Sequence, residues 1–585
     1  MKKGHWPAAA VAAAAAFACA APASASTEQA LPANATFPAV TRSAVTIDAP
    51  LPSSLGAPPA CQELHAYRFR RAGGPASPSD ADAVFVAMPG VLAGASSIEM
   101  HGLSVVQQAA DAGRSVEVWA IDRRANCVED RTGLDAAASA GDINAAVNYY
   151  LNGKPASGRT FDGFKKSGQL PFLAGFDLKQ TLEDYRTVIT TAVPDPDVRR
   201  QKLFCGGHSL GGLLTGLLMS WDFDGNARTT DDAGYRLCAG SIALDSMVYA
   251  GDLVDETKTL VEPALDGAGV LDYRRVTDFV NRSFRTADLG VIGPQTMTLL
   301  KVIGLNADIA PDADTAPMIA GISKGGTVDQ ALRLFHSQTA KDALAPVARL
   351  RRQHLTGDAL LGAFMDDNSQ PLAFIRASFG SFDRGPVGRR HFPLSGPSLL
   401  FPTGTGLYGW ANYDESLPSL LRDDGTPYTS SASEVTDVRD LARVLHEGPL
   451  DFLEAYFPTR IVTDVEFALA GSRQGDLRHI LYVDAPRTLP RLTVTAGESD
   501  IMATKPPVPS LGSAANEHLT VAGYNHNDVI LAAPVTHDGA PEPTASAVSH
   551  FIVGQVGAAT RPSVQVRTGR ASDATVRARL KDAAR

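Results

Sequence analysis

Ser209 stands among residue types suited to attack on a carbonyl. It centres Gly207-His208-Ser209-Leu210-Gly211, a G-x-S-x-G pattern in which a serine sits on a strained strand-to-helix turn, its hydroxyl projecting above a sheet. Small residues two before and two after the serine are needed because the backbone there is crowded. A serine hydroxyl is a poor nucleophile until a base takes its proton during attack. Histidine suits that task because its pKa lies near neutrality. A carboxylate must then fix the imidazole tautomer and stabilise the imidazolium. Of the 13 histidines, position selects His526: it follows the last strand pattern, in the polar turn Asn525-His526-Asn527-Asp528, with a closing helix still to come. His518 sits at the start of that strand, the wrong end of a sheet. The acid is expected at Asp500, in Gly497-Glu498-Ser499-Asp500 after a late strand. Glu498, nearer the strand end, and Asp245, after an earlier strand, stay open as alternatives.

The pentapeptide alone discriminates poorly. In a chain with this much glycine, chance gives roughly 0.3 matches, and a second copy occurs at Gly321-Ile322-Ser323-Lys324-Gly325. Context separates the two. After Ser323 come two glycines and then the capping box Thr327-Val328-Asp329-Gln330, so that helix starts several residues too late. After Ser209 an apolar, small-residue helix begins at once.

The elements around Ser209 explain what must hold it. Strand patterns occur at 63–71, 83–88 and 116–121, then at the stretch opening the pentapeptide, then at 239–244; helical patterns occupy 97–112, 134–151 and 177–193. Strands alternating with helices imply a parallel sheet with helices on both faces. The rhythm resumes at 490–556, with strands at 492–496 and 519–522 and a helix at 545–556 that Thr544 is placed to cap. Between these halves, helical segments such as 330–335 and 435–447 alternate with stretches rich in Gly, Pro, Ser and aromatics. The organisation expected is a signal peptide at 1–25, a disordered leader at 26–42, a core at 43–250, an insertion capping the sheet at 251–485, the second part of the core at 486–557 and a disordered tail at 558–585. Aromatics of the insertion such as Tyr408, Trp410 and Tyr413 are candidates to line a pocket.

The formal charge is −10 over 585 residues and no long basic run precedes the tail, so nucleic acid is excluded as the expected partner. Lys2 and Lys3, the apolar stretch 8–21 and Ala23-Ser24-Ala25 form a secretory signal with cleavage near Ala25. No other run reaches the length of a membrane span. The expected location is extracellular or periplasmic, without stable membrane insertion. Four cysteines remain after cleavage, allowing three connectivities.

The elbow at 207–212, the loop Pro89-Gly90-Val91 after a buried strand, Gly497–Asp500 and Asn525–Asp528 together resemble the α/β-hydrolase superfamily, whose triad runs Ser, then Asp or Glu, then His. The resemblance covers about 45–250 and 485–556. It implies an α/β-hydrolase fold, a mostly parallel sheet flanked by helices, with a mainly helical cap inserted after the strand ending at Asp245. It also implies an oxyanion hole of two backbone N–H groups, those of Leu210 and Val91. In this superfamily the second strand is antiparallel and lies beside the fourth, which implies a Cys61–Cys127 disulfide; Cys205 and Cys238, placed at opposite ends of neighbouring parallel strands, are expected free and buried, with a second bridge as the lesser alternative. No cofactor is expected. Ser220, Asp222, Asp224 and Asp231, with Gly225 between them, have the spacing of a weak EF-hand-like calcium loop, whose plain alternative is a polar turn ending a helix. The reading is a secreted serine hydrolase that cleaves a small-molecule or polymeric carboxylic ester through an acyl-enzyme. A peptidase or amidase of the same fold and an inactive binding protein on that scaffold are the alternatives.

Overall fold

The structure, a computed structural model, describes residues 25–251, 272–288, 292–322, 326–379, 387–392, 407–410, 434–499, 501–502 and 507–557. The expected signal peptide up to residue 24, the tail from 558, and Ser323, Tyr413 and Asp500 lie outside the described residues.

Nine strands form one sheet: β1 (Ser26–Ala30), β2 (Val40–Asp48), β3 (Glu63–Arg71), β4 (Ala83–Met88), β5 (Val116–Asp122), β6 (Leu203–His208), β7 (Gly240–Leu244), β10 (Arg491–Ala496) and β11 (Asn516–Val521). Two further strands, β8 (Val387–Arg390) and β9 (Leu407–Trp410), pair antiparallel in the insertion. The order across the large sheet is β1-β2-β3-β5-β4-β6-β7-β10-β11. β1, β2, β3 and β5 pair antiparallel in turn, and from β5 to β11 every pairing is parallel. Beyond the added edge strand β1, this order, with its antiparallel second strand, is that of the α/β-hydrolase fold.

Sequence accounts for the centre of this sheet. Every residue of β4, β5, β6 and β7 is buried. Parallel strands covered on both faces read as continuous apolar runs, which is what AVFVAM and GSIAL are. Helices flank the sheet in two packed pairs: Glu99–Asp111 with Pro543–Gly554, and Leu178–Ala192 with Leu210–Ser220. The closing helix is capped by Glu542, whose carboxylate accepts from the N–H groups of Thr544 (2.8 Å) and Ala545 (2.6 Å), and not by Thr544. Pro543 takes the first helical position, where its missing N–H costs nothing, and this moves the cap two residues back.

Two expectations are corrected. Residues 26–42 carry a strand rather than a disordered leader. All five residues of β1 are exposed, so no apolar pattern announces it. It is held by the backbone ladder on β2, from Ser26 opposite Ile47 to Ala30 opposite Ser43, and by Glu28, which accepts from Ser43 Oγ and Arg68. Cys205 and Cys238 are disulfide-bonded, Cα to Cα 5.8 Å, as are Cys61 and Cys127 at 5.0 Å. Cys205 sits near the start of β6, opposite Ser241, and Cys238 lies just before β7. Both therefore stand at the same end of neighbouring parallel strands.

The described part of the insertion is mainly helical, including Tyr273–Ser283, Pro294–Ile309, Gly326–His336, Gly357–Met365, Val438–Val444 and Thr459–Leu469. It returns to the sheet through residues 451–454, which bond to the loop after β4.

Candidate active site

Ser209 has φ 53° and ψ −123°, a left-handed conformation that a non-glycine residue holds only when its surroundings enforce it. The crowding is measurable. A Cβ on Gly207 would lie 2.2 Å from Met88 O, and one on Gly211 would lie 2.0 Å from the same oxygen. Both are backbone collisions that no rotamer change relieves. The turn is also pinned to the end of β7: Ser209 N donates to Leu244 O (3.1 Å), and Ser246 Oγ donates to Ser209 O (2.5 Å). Leu210 opens the helix Leu210–Ser220, so its N–H, like the others of a first turn, has no intrahelical acceptor.

His526 is buried, and its Nδ1 lies 2.5 Å from Asp245 Oδ2. Asp245 is fully buried with φ 40°. It also accepts from Ala496 N (3.1 Å) and Ser499 Oγ (2.6 Å), so the carboxylate is held from three sides. The carboxylate on His526 is thus that of Asp245, one of the alternatives left open for the acid. Asp500 is outside the described residues, and the place on Nδ1 it was expected to fill belongs to Asp245. β7 and β10 are neighbours, with Leu244 opposite Val494, so the end of β7 lies beneath the turn after β10. There Asp245 meets the loop that follows β11. Glu498 is exposed. His208 packs its ring 4.4 Å from that of His526, and its Nε2 lies 2.8 Å from His526 O. Burial, with His526 alongside, pushes His208 well below the usual imidazole range. It is therefore neutral, and a nitrogen facing a carbonyl oxygen must be the one that carries the proton. His208 thus donates to the His526 backbone.

The loop after β4 is clamped by a residue that the sequence does not single out. Arg123, at the end of β5, donates to Pro89 O (2.9 Å), Gly90 O (2.7 Å) and Ala93 O (2.7 Å). Its Nε donates to Glu454 Oε2 (2.7 Å), and both side chains are buried. In a trans peptide the N–H points opposite to the C=O. Carbonyls turned towards Arg123 therefore turn the N–H groups of Gly90 and Val91 away from it. The site for a Cβ on Gly90 lies 3.1 Å from Ser209 Cβ, so this loop runs directly past the serine. The insertion completes the clamp: Gly94 N donates to Phe452 O (2.8 Å) and Glu454 N to Leu92 O (2.9 Å). The only sequence signal for Arg123 was its place in a polar run right after a buried strand.

An apolar pocket opens between this loop and the insertion. Its walls include Val91, Met297, Leu300, Phe364, Phe374 and Phe452, and Asn527 borders it beside His526. Among the described residues, the pocket's aromatics are phenylalanines, and the candidate Tyr408 is not one of its walls. Tyr408 is buried elsewhere in the insertion, in β9.

The expected calcium loop does not assemble as read. Ser220 Oγ is turned into its own helix and donates to Gly216 O (2.7 Å). Asp231 is exposed and lies 3.9 Å from Arg236. Asp222 and Asp224 are instead gathered with Asp232, because the chain folds back where Asp222 pairs with Ala233.

No family model matches the chain, and no curated protein does. Among solved structures the chain is similar to the peroxisomal α/β-hydrolase Lpx1 (Yor084w) of Saccharomyces cerevisiae, at 11% identity and a TM-score of 0.31, over 92% of this chain and 95% of that one. The fold assignment rests on the strand order and orientation themselves. No helix among the described residues is long and apolar enough to cross a membrane.

Proposed function

We propose that this chain is an exported serine hydrolase that cleaves carboxylic esters through an acyl-enzyme. Ser209 is the nucleophile, His526 the general base and Asp245 the carboxylate that orients it. The observation that carries the reading is the buried 2.5 Å contact of Asp245 with His526, whose ring packs on His208, the residue before a serine held at φ 53°. With Nδ1 committed to Asp245, Nε2 is the nitrogen left to take the serine proton. The N–H groups of Leu210 and Val91 receive the negative charge that develops on the substrate oxygen. Water then deacylates the enzyme with the same histidine as base. The phenylalanine-rich pocket beside Val91 and Asn527 suits an apolar acyl group, since a pocket of this kind offers burial and little hydrogen bonding. Export is supported by the two disulfides, which persist in oxidising compartments.

The test is labelling with a fluorophosphonate probe, together with turnover of p-nitrophenyl esters of graded chain length and of aminoacyl anilides, on the wild type and Ser209→Ala. Labelling and ester turnover by the wild type alone are expected. An unlabelled wild type, or a mutant labelled equally, overturns the nucleophile. Anilide turnover without ester turnover overturns the substrate class.

A further inference from the structure

Away from Ser209, three carboxylates meet where the insertion touches the loop of His526. Asp366 and Asp367 follow the helix Gly357–Met365, and Glu434 precedes the helix Val438–Val444. One carboxylate oxygen from each lies within 4.8 Å of the others. Asp366 is fully buried and Glu434 is 5% exposed. The first two are oriented by neighbours. Asn368 Nδ2 donates to Asp366 Oδ1 (3.0 Å) and Asp367 Oδ1 (2.7 Å). Ser378 Oγ and Asn525 Nδ2 donate to Asp367 Oδ2 (3.0 and 2.8 Å). Glu434 differs. Neither of its oxygens has a hydrogen-bond partner among the described residues, although its carboxylate lies within the cluster. Ser378 is near enough to favour the charged form of Glu434, but gives its proton to Asp367.

Buried like charges need either a proton or a cation between them. A shared proton draws two carboxyl oxygens into a short O–H···O⁻ bond of about 2.5–2.7 Å, and among the described residues Glu434 makes no such bond. A hard cation asks only for oxygens. Around calcium they sit at about 2.3–2.6 Å, so two ligands of one ion are at most about 5 Å apart. The observed spread meets that limit.

We propose that Asp366, Asp367 and Glu434 bind one divalent cation, calcium by its oxygen-only ligands, and that this ion fastens the insertion to the loop of His526. The link is direct: Asp367 holds Asn525, the residue before His526. A second carboxylate joins the same segments: Asp528 accepts from Ser378 N (2.9 Å), Thr436 Oγ1 (2.6 Å) and Asn525 N (2.7 Å). This inference stands independently of the ester reading.

The full chain, stripped with chelator and dialysed against calcium chloride, is compared as wild type, Glu434→Gln and Asp224→Asn by bound-metal analysis and thermal unfolding. Asp224→Asn disables the other such acidic group among the described residues, Asp222, Asp224 and Asp232. The wild type and Asp224→Asn are expected to retain one ion at this site and to melt higher with calcium than without, because an ion bound only to the folded state raises the melting temperature. Glu434→Gln is expected to lose that ion and its melting shift. A wild type that binds no calcium, an ion lost in Asp224→Asn, or a Glu434→Gln variant that keeps the ion each overturns the proposal. Should Glu434→Gln fail to fold, the ion count of Asp224→Asn decides alone: one ion supports the site and none overturns it.

Discussion

His526 and Asp245 are 281 positions apart in the chain, and Nδ1 of one meets Oδ2 of the other at 2.5 Å with both side chains buried. The pair depends on sheet order, since β7 carries Asp245 directly to the turn over which the His526 loop closes. Replacing Asp245 by Asn keeps the shape and removes the charge that stabilises an imidazolium and fixes its tautomer. Asp245→Asn is expected to lower kcat for an ester by about 10⁴ with a much smaller change in KM. Asp500→Asn is expected to retain most activity. Steady-state kinetics of the two variants decide between the acids, and the reverse pattern returns the role to Asp500.

The local half of this site was legible in the sequence. Gly207 and Gly211 flank Ser209 because Met88 O leaves no room for a Cβ, and that demand is written in five consecutive residues. The polar turn after the last strand gave His526 its position in the same way. The acid was ambiguous because Asp245 and Asp500 both follow parallel strands, and only the path of the His526 loop distinguishes them. Arg123 was invisible because its partner Glu454 comes from the insertion, 331 positions away. β1 was missed because backbone bonds hold it and no residue of it is buried, so periodicity carries no trace of it.

Arg123 and Glu454 allow stability and catalysis to be separated. Arg123→Met leaves Glu454 buried without its counter-charge, which costs about 3–5 kcal/mol, and frees the carbonyls of Pro89, Gly90 and Ala93. Arg123→Met with Glu454→Leu removes the stranded charge but leaves the loop unclamped. Denaturant unfolding is expected to show the single variant strongly destabilised and the double variant largely recovered. In both, kcat is expected to fall about 10²–10³-fold, the loss typical of one misplaced oxyanion donor. A double variant that regains full kcat assigns Arg123 a purely structural role.

His101, in the helix Glu99–Asp111, gives the fold a sensitivity to acid. It is buried, and neither ring nitrogen has a partner among the described residues. Burial pushes its pKa down to about 3. The folded state therefore binds fewer protons than the unfolded chain, whose histidines titrate near 6.5. The stability His101 contributes is complete above about pH 6.5 and is lost as pH falls from there towards 3. Chemical denaturation at a series of pH values is expected to show a shallower decline over this window for His101→Leu than for the wild type. Identical slopes would show that His101 finds a partner on protonation.

The two disulfides close loops of different length, with 66 positions between Cys61 and Cys127 and 33 between Cys205 and Cys238. In the chain-entropy account, cross-linking restricts the unfolded chain more as the loop grows, giving about 4.4 kcal/mol for the first and about 3.7 kcal/mol for the second. The first also holds the stretch before β3 against the segment after β5. There Arg124 donates to Cys61 O (2.7 Å) and Ala49 O (2.8 Å) and forms a bidentate pair with Asp184. That buried network restrains the native ends even without the bond. Cys61→Ala with Cys127→Ala is therefore expected to stay folded, with unfolding free energy lower by about 2–5 kcal/mol and ester turnover at 25 °C unchanged. Cys205→Ala with Cys238→Ala lies in β6 and just before β7, the strands that lead to Ser209 and Asp245, where each lost sulfur leaves a gap among buried residues. It is expected to cost more than its shorter loop implies, because the cavity term adds to the chain-entropy term. Urea unfolding of the two double variants, scored by free energy rather than by melting temperature alone, checks the order. A smaller loss for the Cys205 pair than for the Cys61 pair would assign the difference to loop length and not to packing at the sheet centre.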